Sequence, residues 1–257
     1  MTRDLRDHAV AQAIAAECLE GWRPTDEHVS ALTALAHDEV SFDDYLVKFR
    51  DRYPAQERRR RRRPSLRQTP YLIPGTTLLR NNFGAQSAEM LSDLEFVATA
   101  GRMVSWLCGA RELDVRAIHG HLFGDVYAWA GKYRTTELRR GQQSFALVSS
   151  IESQMTRVHE TAQSVVDAGA SYDNPRLAWE LARLYTDYNQ VHPFRDGNGR
   201  AGAMLLHGVA ARCGRELDLT VTHRAEWYSA AADTMPLRGR GRVSHRPFLP
   251  ILNRAVT

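Results

Sequence analysis

Nine residues, His192-Pro-Phe-Arg-Asp-Gly-Asn-Gly-Arg200, constrain this chain more than any other stretch, because they join two segments that both read as helix. Leu177, Leu181, Leu184, Tyr185 and Tyr188 recur at helical spacing before the loop, and Met204, Leu205 and Val209 do so after it. Asn174 and Pro175 are expected to cap the first helix, and Gly214 to end the second. If the second helix opens near Asn198, the amides of Gly197, Asn198, Gly199 and Arg200 lack carbonyl partners within it and form an anion site.

The loop's side chains fit that site. Two glycines let the backbone approach a phosphate closely, and Arg200 adds a forked positive charge. Asp196 is a hard carboxylate that can hold Mg²⁺ against phosphate oxygens. His192 titrates near neutral pH and can take a proton from an attacking hydroxyl. Together they describe transfer of a nucleotide or phosphoryl group. Gly197-x-Gly199-x-x-Gly202 also matches the dinucleotide fingerprint, with Asp218 near its acidic position. That reading fails because the fingerprint follows a strand, whereas here a helix and a His-Pro-Phe turn precede it.

The loop resembles the signature of Fic-domain proteins, H-P-F-x-D/E-G-N-G-R-x-x-R. The likeness extends from Tyr71 to about Trp227 and includes Tyr71-Leu-Ile-Pro-Gly75-Thr-Thr, His121-Leu-Phe-Gly-Asp-Val-Tyr-Ala-Trp-Ala-Gly131 and Arg134-Thr135. The resemblance implies an all-α fold, a Fic-type helical domain with a short β-hairpin flap, that moves AMP from Mg·ATP to a hydroxyl side chain of a target protein. It implies His192 as catalytic base and Asp196 as metal ligand. Phe194, Gly197, Asn198, Gly199 and Arg200 would hold the nucleotide. Thr135, Thr136 and Gly141 predict the hairpin, which by resemblance is the flap that docks an extended target segment by strand addition, with Gly141 at its turn and Phe145 against the peptide. Topoisomerases and the chain itself are the family's usual kinds of target. One departure stands out: Ala203 occupies the place of the family's second arginine, which orients the γ-phosphate and pairs with an inhibitory glutamate. A Fic-fold transferase with another phosphate-containing donor, or an inactive nucleotide- or protein-binding module, therefore stays open beside adenylyl transfer.

Residues 1–53 carry a second pattern. Ala9, Ala13, Ala16 and Ile14 predict a helix ending about Gly21, Val29, Leu32, Leu35 and Ala36 a second beginning after Thr25-Asp-Glu, and Ser41 caps a third. Three short helices make too small a core to stand alone, so they are expected to pack on something larger. The segment resembles the small antitoxins that silence Fic toxins through S/T-x-x-x-E-G; here the corresponding stretch is Ala16-Glu-Cys-Leu-Glu20-Gly21. The resemblance implies an intramolecular inhibitor in which Glu20 and Gly21 close the phosphate site.

The division expected is therefore 1–53 as an antitoxin-like segment, 54–70 as an Arg/Pro-rich linker and 71–257 as a Fic domain with a C-terminal helical extension. The formal charge of +4 includes six positive charges at Arg58–Arg63, leaving −2 elsewhere, so the basicity is local. A like-charged run flanked by prolines reads as a solvated linker rather than a nucleic-acid surface. No apolar run reaches membrane-spanning length, the N-terminus lacks a secretory h-region, and Cys18, Cys108 and Cys213 form no Cys-x-x-Cys pair. A cytoplasmic protein without membrane partners is expected. His119 and His121 read as a cap and a core contact, His207 as a structural residue on the second helix's surface, and Trp227 and Tyr228 as core aromatics that could reach the adenine.

Overall fold

The computed structural model describes residues 3–53, 70–109, 112–141, 143–234 and 243–257; the Arg58–Arg63 run and nearly all of the expected linker lie outside them. Those residues are mostly helical: α1 (Arg3–Glu20), α2 (Asp26–Ala36), α3 (Phe42–Arg50), α4 (Ala88–Cys108), α5 (Val115–Phe123), α6 (Ile151–Ala168), α7 (Asn174–Val191), α8 (Asn198–Arg212), α9 (Arg224–Asp233) and α10 (Leu249–Ala255). Between α5 and α6 stands a two-stranded antiparallel hairpin, β1 (Arg139–Arg140) and β2 (Gln143–Ser144), paired Arg139 to Ser144 and Arg140 to Gln143. No helix among the described residues is long and apolar enough to cross a membrane.

Helix α8 is the axis of the structure. From Asn198 to Ala210 every residue except Gly199 is buried, and α4, α5, α6 and α7 pack around it. A helix apolar on all sides must be enclosed. Its end is set by Gly214, at φ +70°, just after the last turn. The N-cap of α7 is Asp173, whose carboxylate accepts from the Arg176 amide at 2.8 Å, with Asn174 and Pro175 inside the first turn. The cap thus falls one residue earlier than expected, because proline suits the first turn, where an amide hydrogen is not needed.

The three N-terminal helices share one continuous core with the remainder. Small residues make this possible: Ala9, Ala13 and Ala16 on α1 are buried, and α1 lies along α4 while also touching α8. Where α2 and α3 cross α4, Gly101 leaves room for the Tyr45, Phe42 and Leu35 side chains. The Tyr45 hydroxyl then donates to the Val97 carbonyl at 2.9 Å. Gln12 of α1 fastens the other side, donating to Asp218 and accepting from the Leu219 amide, both at 2.8 Å. Ser41 caps α3 as expected, while α2 opens at Asp26, two residues before its expected start, with Thr25 as its cap.

Candidate active site

The loop 192–197 is shaped by two residues at positive φ. His192 closes α7 at φ 49°, ψ 62°, and Gly197 opens α8 at φ +74°. A β-carbon on Gly197 would stand 2.3 Å from the Phe123 ring, so glycine is required for both conformation and space. Asn198 turns back to the loop: its Oδ1 accepts from the Phe194 amide and its Nδ2 donates to the Phe194 carbonyl, both at 2.9 Å. Tyr188 completes the brace by donating to the Asn198 carbonyl at 3.0 Å.

A buried histidine holds the loop from behind. The Nδ1 of His119 accepts from the Gly131 amide at 3.0 Å, so its Nε2 carries the hydrogen and donates to the Asp196 carbonyl, also at 3.0 Å. Burial lowers its pKa to about 3, keeping the ring neutral. Phe194 stacks on the other side, centroid to centroid 3.9 Å. Phe194, expected among the nucleotide-holding residues, is wholly buried and acts as the loop's apolar foot.

His192 faces the site with its ring stacked on Phe145 at 3.9 Å. Burial first, then the charges of Arg140 and Arg134, lower its pKa to about 3, so the imidazole is neutral and able to accept a proton. Phe145, expected against a docked peptide, is buried on the His192 ring instead. Arg134 binds flap to loop. Its fully buried guanidinium donates to the carbonyls of His192, Val191, Thr136 and Ala146, and its amide donates to Pro193 at 2.8 Å. Gly141 forms the flap's turn at φ +60°.

The structure corrects the role expected for Arg200. Its guanidinium turns away from the loop into the interior, where it pairs with Glu95 of α4, donates to Thr99 at 3.2 Å and lies 3.6 Å from Glu17 of α1. The aromatic rings of Phe123 and Phe96 flank it at 4.6 and 5.5 Å. Helical geometry explains the reversal. Gly199 occupies the cavity side of the first turn of α8, so the next residue along points about 100° around the axis, into the core. Burial opposes the charge of Arg200, but Glu95 and Glu17 more than offset this and hold it protonated.

Glu20, at the last position of α1, points at the opening turn of α8. Its Oε1 lies 1.9 Å from where a β-carbon on Gly199 would stand, and its Oε2 accepts from Tyr228 at 3.0 Å. Gly21 follows at φ +106°, ending the helix there. A cavity of about 80 Å³ remains, lined among others by Glu20, His192, Asp196, Gly199, Arg140 and Tyr228. Trp227 lines it too, but is buried and donates to the Tyr185 hydroxyl at 3.1 Å, so it is chiefly a core aromatic. Ala203 is buried and brings no charge to the site.

Asp196 is exposed at the cavity, with Oδ1 accepting from the Gly197 amide at 2.8 Å. No cluster of three or more His, Cys, Asp or Glu suited to a metal occurs among the described residues. One carboxylate beside an anion site nonetheless suits Mg²⁺, which binds by one or two carboxylates plus substrate phosphates and water.

Several contributors were not singled out from sequence. Glu17 falls four residues after Ala13 and eight after Ala9, so a carboxylate on an apolar stripe was the available signal. Glu95, between Leu94 and Phe96 in an apolar helix, gave the same one. His119, read as a cap, is instead buried in the core, and its hold on the loop depends on a long-range contact. His121, read as the core contact, is exposed in the last turn of α5, against Ser105 and the Arg102 carbonyl. His207 is buried in α8 rather than facing its surface.

Comparison with known proteins agrees with this geometry. Residues 110–210 match the family model described as "Fic/DOC family". The chain is 27% identical over 166 residues to the "Probable protein adenylyltransferase Fic" of Escherichia coli K12, covering 63% of this chain and 82% of that protein. It is 29% identical over 173 residues to "Protein adenylyltransferase VbhT" of Bartonella schoenbuchensis, covering 64% of this chain and 35% of that one. Among solved structures, the BepC protein of Bartonella tribocorum with bound AMPPNP superposes with a TM-score of 0.62 at 20% identity, over 73% of this chain and 96% of that one. A Fic-domain-containing signaling protein from Bacteroides thetaiotaomicron superposes with a TM-score of 0.60 at 16% identity, over 97% of this chain and 84% of that one.

Proposed function

Because the chain carries a Fic/DOC domain, we propose that it is a protein adenylyltransferase held closed by its own first helix. Relatives named as protein adenylyltransferases support AMP transfer, and the BepC structure with AMPPNP supports ATP as co-substrate. In the forward step a target hydroxyl attacks the α-phosphorus of ATP and gives its proton to neutral His192. The new phosphorus–oxygen bond forms as the bond to the bridging oxygen breaks, and pyrophosphate leaves with the electron pair. Free amides at the start of α8 receive the negative charge. Asp196 would hold Mg²⁺, which neutralises phosphate charge when bound.

The observation that carries the inhibitory part is Glu20. A carboxylate set against Gly199 takes the place a phosphate would need, and a cavity of about 80 Å³ is far below the ~300 Å³ or more typical of sites that hold drug-sized ligands. A closed site and an intact base fit an enzyme restrained by its own chain. Ala203 favours a second reading, in which the fold is kept and the donor differs. The test is intact-mass spectrometry of the full chain incubated with Mg·ATP and candidate targets. Glu20→Gly should add AMP to itself or to a target more than the parent does, and Glu20→Gly/His192→Ala should add none. Nucleotide binding without transfer from any phosphate-containing donor would overturn both enzymatic readings.

A further inference from the structure

Glu20 closes the site without the partner that the signature supplies. Ala203 stands where the second arginine would be, and no ion pair to Glu20 forms among the described residues. The carboxylate is held nonetheless. Its Oε1 faces the opening of α8 at Gly199, and its Oε2 receives the Tyr228 hydroxyl at 3.0 Å. We propose that Tyr228 replaces the missing arginine as the residue that locks Glu20 in the phosphate site, a neutral donor from α9 in place of a cation from α8. This rests on the reading of Glu20 as the closing residue.

Tyr228 is built for that part. It is half-buried, with its hydroxyl directed at Glu20. The guanidinium of Arg224, one turn earlier on α9, lies 4.6 Å from its ring centroid and that of Arg140, on the flap, 5.6 Å, which holds the ring between its own helix and the flap. Burial first, then the neighbouring Glu20 charge, push the phenol above its ordinary pKa. It therefore keeps its hydrogen and can only donate to the carboxylate. Tyr228 acts through Glu20 and is a positioning residue.

The test measures Mg·ATP binding by calorimetry on the full chain carrying His192→Ala, which stops turnover, with Tyr228→Phe and Glu20→Gly made singly and together. A hydrogen bond to a charged group is worth enough that its loss should tighten apparent ATP affinity by about tenfold where the closed form dominates. Glu20→Gly should tighten it at least as much. In the Glu20→Gly background, Tyr228→Phe should then change affinity by less than about twofold, since the two residues act as one pair. Gain of binding is a readout that misfolding does not produce. Unchanged affinity in Tyr228→Phe beside a clear gain in Glu20→Gly would show that Tyr228 is not the lock. An equal gain in both backgrounds would mean that the ring acts on the pocket without Glu20, and overturns the proposal equally. No gain from Glu20→Gly itself would overturn the parent reading, and the lock with it.

Discussion

Glu17→Gln is the substitution whose consequence the structure fixes most closely. Glu17 and Glu95 both approach Arg200 in a fully buried space, two carboxylates for one guanidinium. Burial pushes the Glu17 carboxyl up to about 8 against the pull of Arg200, and burial raises Glu95 as well. One of them holds a proton, and the hydrogen bonds say which. Glu95 accepts from Arg200 and from the Tyr127 hydroxyl, whereas Glu17 has one oxygen, Oε2, with no hydrogen-bond partner. Thr99 has one hydroxyl hydrogen, shared between Glu17 and the Glu95 carbonyl, the latter at 2.8 Å. Glu17, its carboxyl raised to about 8, is therefore the one that carries the proton near neutral pH.

The sign follows from linkage. With the folded pKa near 8 and the ordinary value 4.5, the folded state binds the extra proton across that interval, so stability is full below 4.5 and is lost as pH rises through 8. The slope is about 1.4 kcal/mol per pH unit for one proton. For a chain of this size that is roughly 3 to 5 °C of melting temperature per unit. Glutamine imitates the protonated side chain, with an amide oxygen that can accept from Thr99, and has no proton to lose. Melting curves of parent and Glu17→Gln from pH 5 to 9 should separate steadily as the parent falls between about pH 5 and 8, and run parallel above that. His119 and His192, whose folded pKa values are depressed, act in the opposite direction on the acid side and cancel in the difference. Parallel curves over the whole range would refute the assignment of the proton to Glu17.

Two further substitutions probe the scaffold. At Gly101 a β-carbon would already stand 2.8 Å from Tyr45 and 3.0 Å from Phe42, so Gly101→Leu should cost about 1–3 kcal/mol or more and speed hydrogen exchange in α2 and α3 before α8. Arg134→Lys keeps the charge but cannot serve the carbonyls of His192, Val191, Thr136 and Ala146 together. A loss of about 2–4 kcal/mol in urea unfolding with faster exchange at 138–146 is expected.

The helices and the hairpin were legible because they follow local rules. Periodic leucines gave α7 and α8, Ser41 capped α3, and Gly141 marked the turn. His192, Asp196, Gly197 and Gly199 reached one cavity because nine adjacent residues fix them almost by themselves. Arg200 was misplaced for a reason that spacing does not show: the residue types fit a phosphate, but only three-dimensional packing reveals Glu95 and Glu17 waiting on the other side of the helix. Tyr228 was invisible in its role for the same reason. It lies 208 positions from Glu20, and no local pattern joins them.

Glu17 and Glu20 are three residues apart, hence neighbours on one face of α1, yet they meet α8 on different sides. Glu17 goes to Arg200 in the core, and Glu20 goes to the cavity-side turn at Gly199. A helix that slid by one residue along its axis would move 1.5 Å and rotate by about 100°, taking Glu17 off Thr99 and Arg200 and leaving a buried carboxyl without hydrogen-bond partners, at a cost of about 1–3 kcal/mol. The buried contact therefore sets the register from which the one at the cavity acts. On this argument Glu17 and Tyr228 have separable duties: the first decides where α1 lies, and the second holds the Glu20 carboxylate once α1 is there.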